Sequence, residues 1–316
     1  MKAIPKWIFL VVAVALTYWT SFFGEELILT LRLYQKGIAV DEINTTSLPH
    51  HHIEVSELRS TVPLIMHRMW RDDSILDGDV GRLDSGAAER GPPTNWSKAF
   101  SRCNNLHRHT HWTTILWTDD SLRAFIGRHY PSFLSVYDSY PYDIQRADAA
   151  RYFVLYHYGG VYLDLDLGCR EHGDLRELLS AMERRGKVAL APATEPVGLS
   201  NDVLCATRGS PFFKDLMENL PAKNAWYGSP YLTGTILLRF SMSNCFKTEM
   251  SFFVRSLQLL AHLIFATWTV RASSQVLYST GPMFLSLRYA RMPPANQNEV
   301  LILPRELCKF ASFSTS

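Results

Sequence analysis

The sequence predicts an α/β domain, a sheet with helices on both faces, held behind an N-terminal apolar anchor. Three observations predict it. Short apolar runs alternate with stretches of helical spacing from residue 62 to about residue 220, the pattern of a covered sheet. An apolar run from Lys6 to Phe23 precedes them. The chain has 316 residues, 47% of them hydrophobic, enough to bury one large core. Its formal charge of +2 comes from interspersed acids and bases, which excludes the concentrated positive field that nucleic acid requires. The five cysteines (Cys103, Cys169, Cys205, Cys245, Cys308) lie far apart without a CxxC spacing. They argue against a zinc site, and their odd count fits no complete disulfide framework.

Residues 1–24 read as a cytoplasmic tail and signal-anchor helix. "KWIFLVVAVALTYWTSFF" would span roughly 25 to 27 Å as a helix, suited to a thin early-secretory membrane. Lys2 and Lys6 before it, with Glu25 and Glu26 after it, orient the body to the lumen. The rival reading is a cleaved signal peptide, but Thr20-Ser21-Phe22-Phe23 offers no small-x-small site. Sequons at Asn44 and Asn95 are compatible with a lumenal body. Residues 25–60 read as a stem, with "EELILTLRLYQK" as a short amphipathic helix and His50-His51-His52 in a solvated linker.

The domain is expected over residues 61–310. "VPLIMHRMW" (62–70) reads as a first buried strand, "NWSKAFSRCNNLH" as a helix, "WTTILWTDD" as a second strand and "SLRAFIGRHY" as a helix. His107, His109 and His111 read as decoration of a helix end. In "YDIQRADAARYFVLYHYGG", Ile144, Ala147, Ala150 and Val154 recur at helical spacing, and Gly159-Gly160 forms a stop. A strand carrying Asp164 and Asp166 follows. "DLRELLSAMERR" reads as a helix, "KVALAPA" and "NDVLCAT" as strands and "SPFFKDLMENL" as a helix. Residues 234–277 then lose the alternation and read as an atypical insertion.

The chemistry concentrates in "YHYGGVYLDLDLG". Strand alternation puts Val161, Leu163, Leu165 and Leu167 on one face and Tyr162, Asp164 and Asp166 on the other. Two carboxylates two residues apart repel each other, and a divalent cation between them is the simplest remedy. Such an ion neutralises a diphosphate, as a sugar-nucleotide transferase requires. Asp148 and Arg151, three apart, share one side of the preceding helix, which Gly159-Gly160 joins to the acidic strand.

"RADAARYFVLYHYGGVYLDLD" resembles the signature of the glycosyltransferase family that shares a sugar-binding region containing the Asp-x-Asp motif. "VPLIMHRMW" resembles that family's opening strand, and "SNDVLCATRGSPFF" and "STGPMFLS" resemble two later blocks. Within the family, "YHYGGVYLDLD", "GSPYLT" and "STGPMFLS" are most similar to fungal enzymes that mannosylate inositol phosphoceramide. The resemblance covers roughly residues 61–233 and 278–304. It implies a GT-A type nucleotide-sugar-binding domain, a Rossmann-like α/β/α sandwich, and a retaining mannosyl transfer from GDP-mannose to inositol phosphoceramide in sphingolipid metabolism. Mn²⁺ or Mg²⁺ is the implied cofactor and a regulatory membrane subunit an implied partner. The implied location is a Golgi or early secretory membrane, single-pass type II with a lumenal catalytic domain.

Carried to this chain, the resemblance makes Asp166 the direct metal ligand and Asp164 a holder of the ribose or a metal-bound water. Asp148 and Arg151 would bind donor-sugar hydroxyls, Trp70 would lie near the nucleobase, and Asn201 and Asp202 would line the sugar or acceptor side. Plainer readings stand beside these: Trp70 as core, Asp148 and Arg151 as a helix ion pair, Asn201 as a turn cap and His67 as structural. Two features depart from the family. It usually passes from "SPYLT" to "STGP" in a few residues, and it continues beyond "KFASFSTS" into a block with His and Trp that helps complete the metal site. Transfer of mannose to protein-linked N-glycans, and a catalytically inactive relative binding a partner transferase, are the alternative functions.

Overall fold

The computed structural model describes residues 25, 26, 28–41, 61–76, 94–107, 111–169, 175–228 and 272–304. The apolar run 6–23, the sequon at Asn44, His50–His52, His109, residues 234–271 and the C-terminal "KFASFSTS" lie outside them. Among the described residues no helix is long and apolar enough to cross a membrane.

Six strands form one mixed sheet: β1 (Ile65–Met69), β2 (Thr113–Trp117), β3 (Gly160–Leu163), β4 (Ala189–Pro192), β5 (Val203–Ala206) and β6 (Val300–Leu303), in the order β2-β1-β3-β5-β4-β6. β1 pairs in parallel with β2 and β3, and β4 in parallel with β6. β5 runs antiparallel to both its neighbours. The helices are α1 (residues 28–36), α2 (Thr94–His107), α3 (Asp119–His129), α4 (Pro131–Ser139), α5 (Asp143–Tyr158), α6 (Leu175–Arg184), α7 (Pro211–Gly228), α8 (Ala272–Ser279), α9 (Pro282–Arg291) and the short α10 (Pro294–Gln297).

Two apolar cores show that both faces of the sheet are covered, as the alternation predicts. On one face Tyr162, Leu204 and Ile302 pack with Phe125 of α3, Val154 and Leu155 of α5, Phe213 of α7 and Phe284 of α9. On the other, Val161, Leu163, Cys205 and Leu301 pack with Cys103 of α2 and Leu179 and Met182 of α6. Local chemistry sets the boundaries. Thr118 caps α3 in a reciprocal box with Ser121, and Asp119 and Asp120 occupy its first turn. Pro131 starts α4, which the sequence reading does not separate from its surroundings. Gly159 and Gly160 have φ of 68° and 96°, and a Cβ on Gly160 would lie 2.5 Å from the Ile65 carbonyl oxygen. Only glycine lets α5 end and β3 begin against β1 without displacing it.

Several expectations are corrected. β3 ends at Leu163, so Asp164 and Asp166 sit in the turn beyond the strand rather than on its face. Ile144 is 51% exposed, whereas residues 148 to 155 of α5 are all buried, so this helix is enclosed rather than striped. Within the segment read as a stem, residues 25, 26 and 28–41 are described, and several of them contact the domain. Leu33 of α1 packs with Val197, Met283 and Leu287, Glu26 pairs with Lys223 and Arg291, and Asp41 exchanges hydrogen bonds with Ile302 of β6. Residues 272–277 of the stretch read as an atypical insertion belong to α8, which packs on α7 and α9. Finally, Cys103 and Cys169 form a disulfide, with Cα atoms 4.8 Å apart, and Cys205 is buried in the same core as Cys103.

Candidate active site

The topology brings distant residues together at the C-terminal ends of β1 and β3. Because β5 is antiparallel, Leu163 pairs with Val203, and the next residues outward, Asp164 and Asp202, meet. The Asp164 amide donates to the Asp202 carbonyl at 2.8 Å. α5 returns through Gly159 to the same sheet and delivers Asp148 and Arg151 from its buried middle.

Arg151 is the hub. Its Nη2 lies 2.7 Å from Asp148 Oδ1, and its Nη1 lies 3.2 Å from Asp164 Oδ1 and donates to the Asn201 carbonyl at 2.6 Å. Its guanidinium also stands 4.5 Å from the centre of the Tyr162 ring, a cation–π contact. Asp148 Oδ1 accepts from Asn201 Nδ2 at 3.0 Å, and its Oδ2 accepts from Thr280 Oγ1 at 3.3 Å. Tyr152 donates to the Thr280 carbonyl at 2.6 Å, and Gln145 donates to Ser279 Oγ at 2.7 Å. Burial of two charges is costly unless they are paired and hydrogen-bonded. This network pairs them and bonds both Asp148 oxygens and both terminal nitrogens of Arg151, leaving Arg151 Nε buried without a partner among the described residues. Burial raises the Asp148 carboxyl above its ordinary range against the pull of Arg151, Thr280 and Asn201. For Arg151, burial works to lower the pKa, but Tyr162, Asp164 and Asp148 together raise it above its ordinary value.

Asp164 is bonded on one oxygen only. Oδ1 takes the Tyr162 hydroxyl at 2.6 Å and Arg151 at 3.2 Å, which turns Oδ2 away from the network. Loss of hydration raises its carboxyl, opposed by Arg151 and Tyr162, although about a third of the side chain (34%) still meets solvent. Asp166 is exposed and makes no hydrogen bond or ion pair among the described residues.

The positive charge that two neighbouring carboxylates call for is partly supplied by the chain itself. Arg68 of β1 is 0% exposed and donates from Nη1 to the carbonyls of Asp164 (2.6 Å) and Leu167 (2.9 Å). It therefore straps both ends of the Asp164–Leu167 turn, which is also closed by the Leu167 amide on the Asp164 carbonyl. Burial lowers its pKa to about 10, with Tyr162, Asp164 and Asp166 opposing, so it stays cationic at neutral pH. The sequence reading misses Arg68, and its signal was a charged residue inside an apolar strand. It also misses Thr280, Ser279 and Gln145, whose roles appear only once α8 is packed against α5.

Trp70 is half-buried beyond the end of β1. Its ring meets Trp96 edge-on at 5.6 Å, and it packs in one cluster with Leu165 of the acidic turn. Its indole Nε1 is buried without a hydrogen-bond partner among the described residues. Thus Asp148, Arg151, Asp164, Asn201 and Asp202 are joined by direct contacts, Trp70 adjoins them, and Asp166 stands at the exposed lip. His67 is structural. Trp117 Nε1 donates to its Nδ1 at 3.1 Å, so its Nε2 carries the proton given to the Gly159 carbonyl at 2.9 Å.

Two acidic side chains with three free oxygens suit a hard cation that shares its coordination with a diphosphate and water rather than an all-protein cage. In keeping with this, no cluster of three metal-ligating His, Cys, Asp or Glu occurs among the described residues.

Residues 93–181 match the family described as "glycosyltransferase sugar-binding region containing DXD motif", which bears out the resemblance read from the sequence. That stretch holds Asp148, Arg151, Asp164 and Asp166. Among curated proteins, the chain is similar to inositol phosphoceramide mannosyltransferase 1 of Schizosaccharomyces pombe, 35% identical over 222 residues, 70% of this chain and 58% of that protein. It is also similar to mannosyl phosphorylinositol ceramide synthase CSH1 of Saccharomyces cerevisiae, 37% identical over 173 residues, 54% of this chain and 39% of that protein. The chain thus spans about half the length of the curated relatives it matches. Of solved structures, PaToxG glycosyltransferase aligns with 79% of this chain and 75% of its own at 10% identity and a TM-score of 0.36, too slight a likeness to carry an argument.

Proposed function

We propose that this chain is a metal-dependent glycosyltransferase of GT-A type that moves mannose from GDP-mannose to inositol phosphoceramide, with retention at the anomeric carbon. The observation that carries the reading is the paired Asp148–Arg151–Asp164 network beside the exposed Asp166, within the stretch that matches the glycosyltransferase region. The likeness to inositol phosphoceramide mannosyltransferases supports the acceptor. The Cys103–Cys169 disulfide supports an oxidising compartment, in keeping with a type II protein of the Golgi or early secretory pathway.

In the transfer, the bond between the anomeric carbon and the diphosphate oxygen breaks, its electron pair leaving with GDP. A bond forms from that carbon to an inositol hydroxyl oxygen, whose proton is released. Asp166 and Asp164 Oδ2 are the groups that would hold Mn²⁺ or Mg²⁺, which when bound would offset charge on the departing diphosphate. Arg151 and Tyr162 hold Oδ1 of Asp164, which would leave Oδ2 for the ion. Asp148 and Asn201, anchored to Arg151 and Thr280, form the sugar side of the cleft. Trp70 offers its unpartnered indole N–H and ring to the nucleobase.

The test uses membranes bearing the chain, GDP-mannose labelled in the sugar, Mn²⁺ and inositol phosphoceramide. Label should enter the lipid extract and should vanish with Asp166→Ala, while circular dichroism of that variant stays unchanged. Label only in the protein pellet would move the acceptor to glycoprotein. Undiminished transfer by Asp166→Ala would remove Asp166 from the site.

A further inference from the structure

α1 has two faces of different character. Thr30 and Leu33 are buried, with Leu29 partly so, on the side that meets Val197, Met283 and Leu287. On the outward side Ile28, Leu31 and Tyr34 recur every third residue and are 52%, 50% and 57% exposed. Three apolar side chains in one exposed stripe are unusual on a surface that elsewhere shows only scattered ones. Val40, just past the helix end at Gly37, adds a fourth exposed apolar side chain to the same segment. On the wheel of α1, the exposed Arg32 and Lys36 border the stripe beside Ile28. The stripe, interrupted by the exposed Gln35 and bordered by cations on its Ile28 side, has the apolar and basic make-up that suits a helix lying in a membrane interface.

The chain before α1 says what covers the stripe. The apolar run ends at Phe23, five residues before Ile28, so the two are at most about 17 Å apart. We infer that the outer face of α1, with Ile28, Leu31 and Tyr34, lies in the surface of the lipid bilayer that residues 6–23 enter. This rests on the membrane-anchored reading proposed above.

The consequence reaches the cleft. α1 docks on α9 and on Val197, and these segments lead to Thr280 and Asn201, two of the three side chains that hold Asp148. Glu26, which pairs with Lys223 of α7 and Arg291 of α9, ties the same end to the domain. The membrane would then fix the orientation of the sugar side of the site. A lipid head group would approach it from one direction at raised effective concentration.

Photocrosslinking in proteoliposomes of the full chain tests this without measuring transfer. A benzophenone amino acid is placed singly at Leu31, at Tyr34, at Val12 within the apolar run, and at Arg128 on the exposed side of α3. The phospholipid is radiolabelled, and lipid adducts are counted. Adducts at Leu31, Tyr34 and Val12 with loss of signal at Arg128 are the expected result. Adducts at Val12 but none at Leu31 or Tyr34 would overturn the inference and leave the anchor standing. Adducts of Leu31 to a second copy, or to another part of the same chain, would overturn it in favour of a protein contact. No lipid adduct at any position would remove the anchored reading and the inference together.

Discussion

Two buried basic side chains lie next to each other on β1, and their environments send them to opposite charge states. Arg68 stays charged because its strap on the Asp164–Leu167 turn sits among carboxylates. His67 stays neutral because burial pushes its pKa down to about 4, the hydrogen bond to Gly159 only partly opposing. The unfolded imidazole takes its proton near pH 6.5, whereas the folded one resists until about pH 4. Unfolded chain therefore binds more protons in that window, and stability falls as pH drops through it. The contribution is complete above pH 6.5 and, over the whole window, is worth about 3 kcal/mol. Asp148 and Asp164, whose folded carboxyls are raised, work in the opposite direction, so the bare pH profile is a sum of both signs. The difference between wild type and His67→Gln isolates the imidazole. Denaturant melts should show that gap narrowing by about 3 kcal/mol from neutral pH to pH 4, and a constant gap would refute the assignment.

At the scale of elements, the acidic turn is held at both ends by Arg68 and beyond its end by the disulfide from Cys169 to Cys103 of α2. The disulfide closes a loop with a sequence separation of 66, which in the chain-entropy account stabilises the fold by about 4 kcal/mol. Replacing Cys103 and Cys169 together by Ser should lower the denaturant midpoint accordingly, and reductant should do the same to wild type but nothing to the variant. An unchanged midpoint in both cases would mean the cystine carries no stability. The sequence did reveal the strands and helices from β1 to α7 apart from α4, because periodicity and Gly159-Gly160 are local, but it assigned none of α8, α9, α10 and β6. It also revealed Asp148, Arg151, Asp164 and Asp166, which share one short signature. What it hid was non-local. The direction of β5 brings Asp202 to Asp164, the pairing of Cys103 with Cys169 spans β2, α3, α4, α5 and β3, and the burial of residues 148 to 155 of α5 erases the stripe that Ile144 seemed to begin. No spacing rule encodes such contacts, since each depends on which elements become neighbours.

The whole molecule is tied together across long separations. Thr280 bonds Asp148 from 132 residues away, and Arg288 of α9 grips Asp215 of α7 with both ends of its guanidinium, at 2.9 and 2.7 Å. These ties require only that α8 and α9 return to α7 after the stretch that the sequence reading marks as an insertion. α8 resumes at Ala272, packs on α7, and leads directly to Thr280. A loop that merely connects two packed helices costs closure entropy, and that cost grows slowly with its length. Replacing residues 234–271 by a short Gly-Ser linker, with "SPYLT" left in place, should therefore keep the domain folded. Relief of closure entropy should raise its stability by about 1 kcal/mol. Thermal melting and the near-ultraviolet circular dichroism of the buried tyrosines Tyr152 and Tyr162 would report it. A melting temperature at or above that of the parent, with the aromatic signal kept, would mark the segment as dispensable to the fold. Collapse of that signal would show that the segment supplies part of the core and is no insertion.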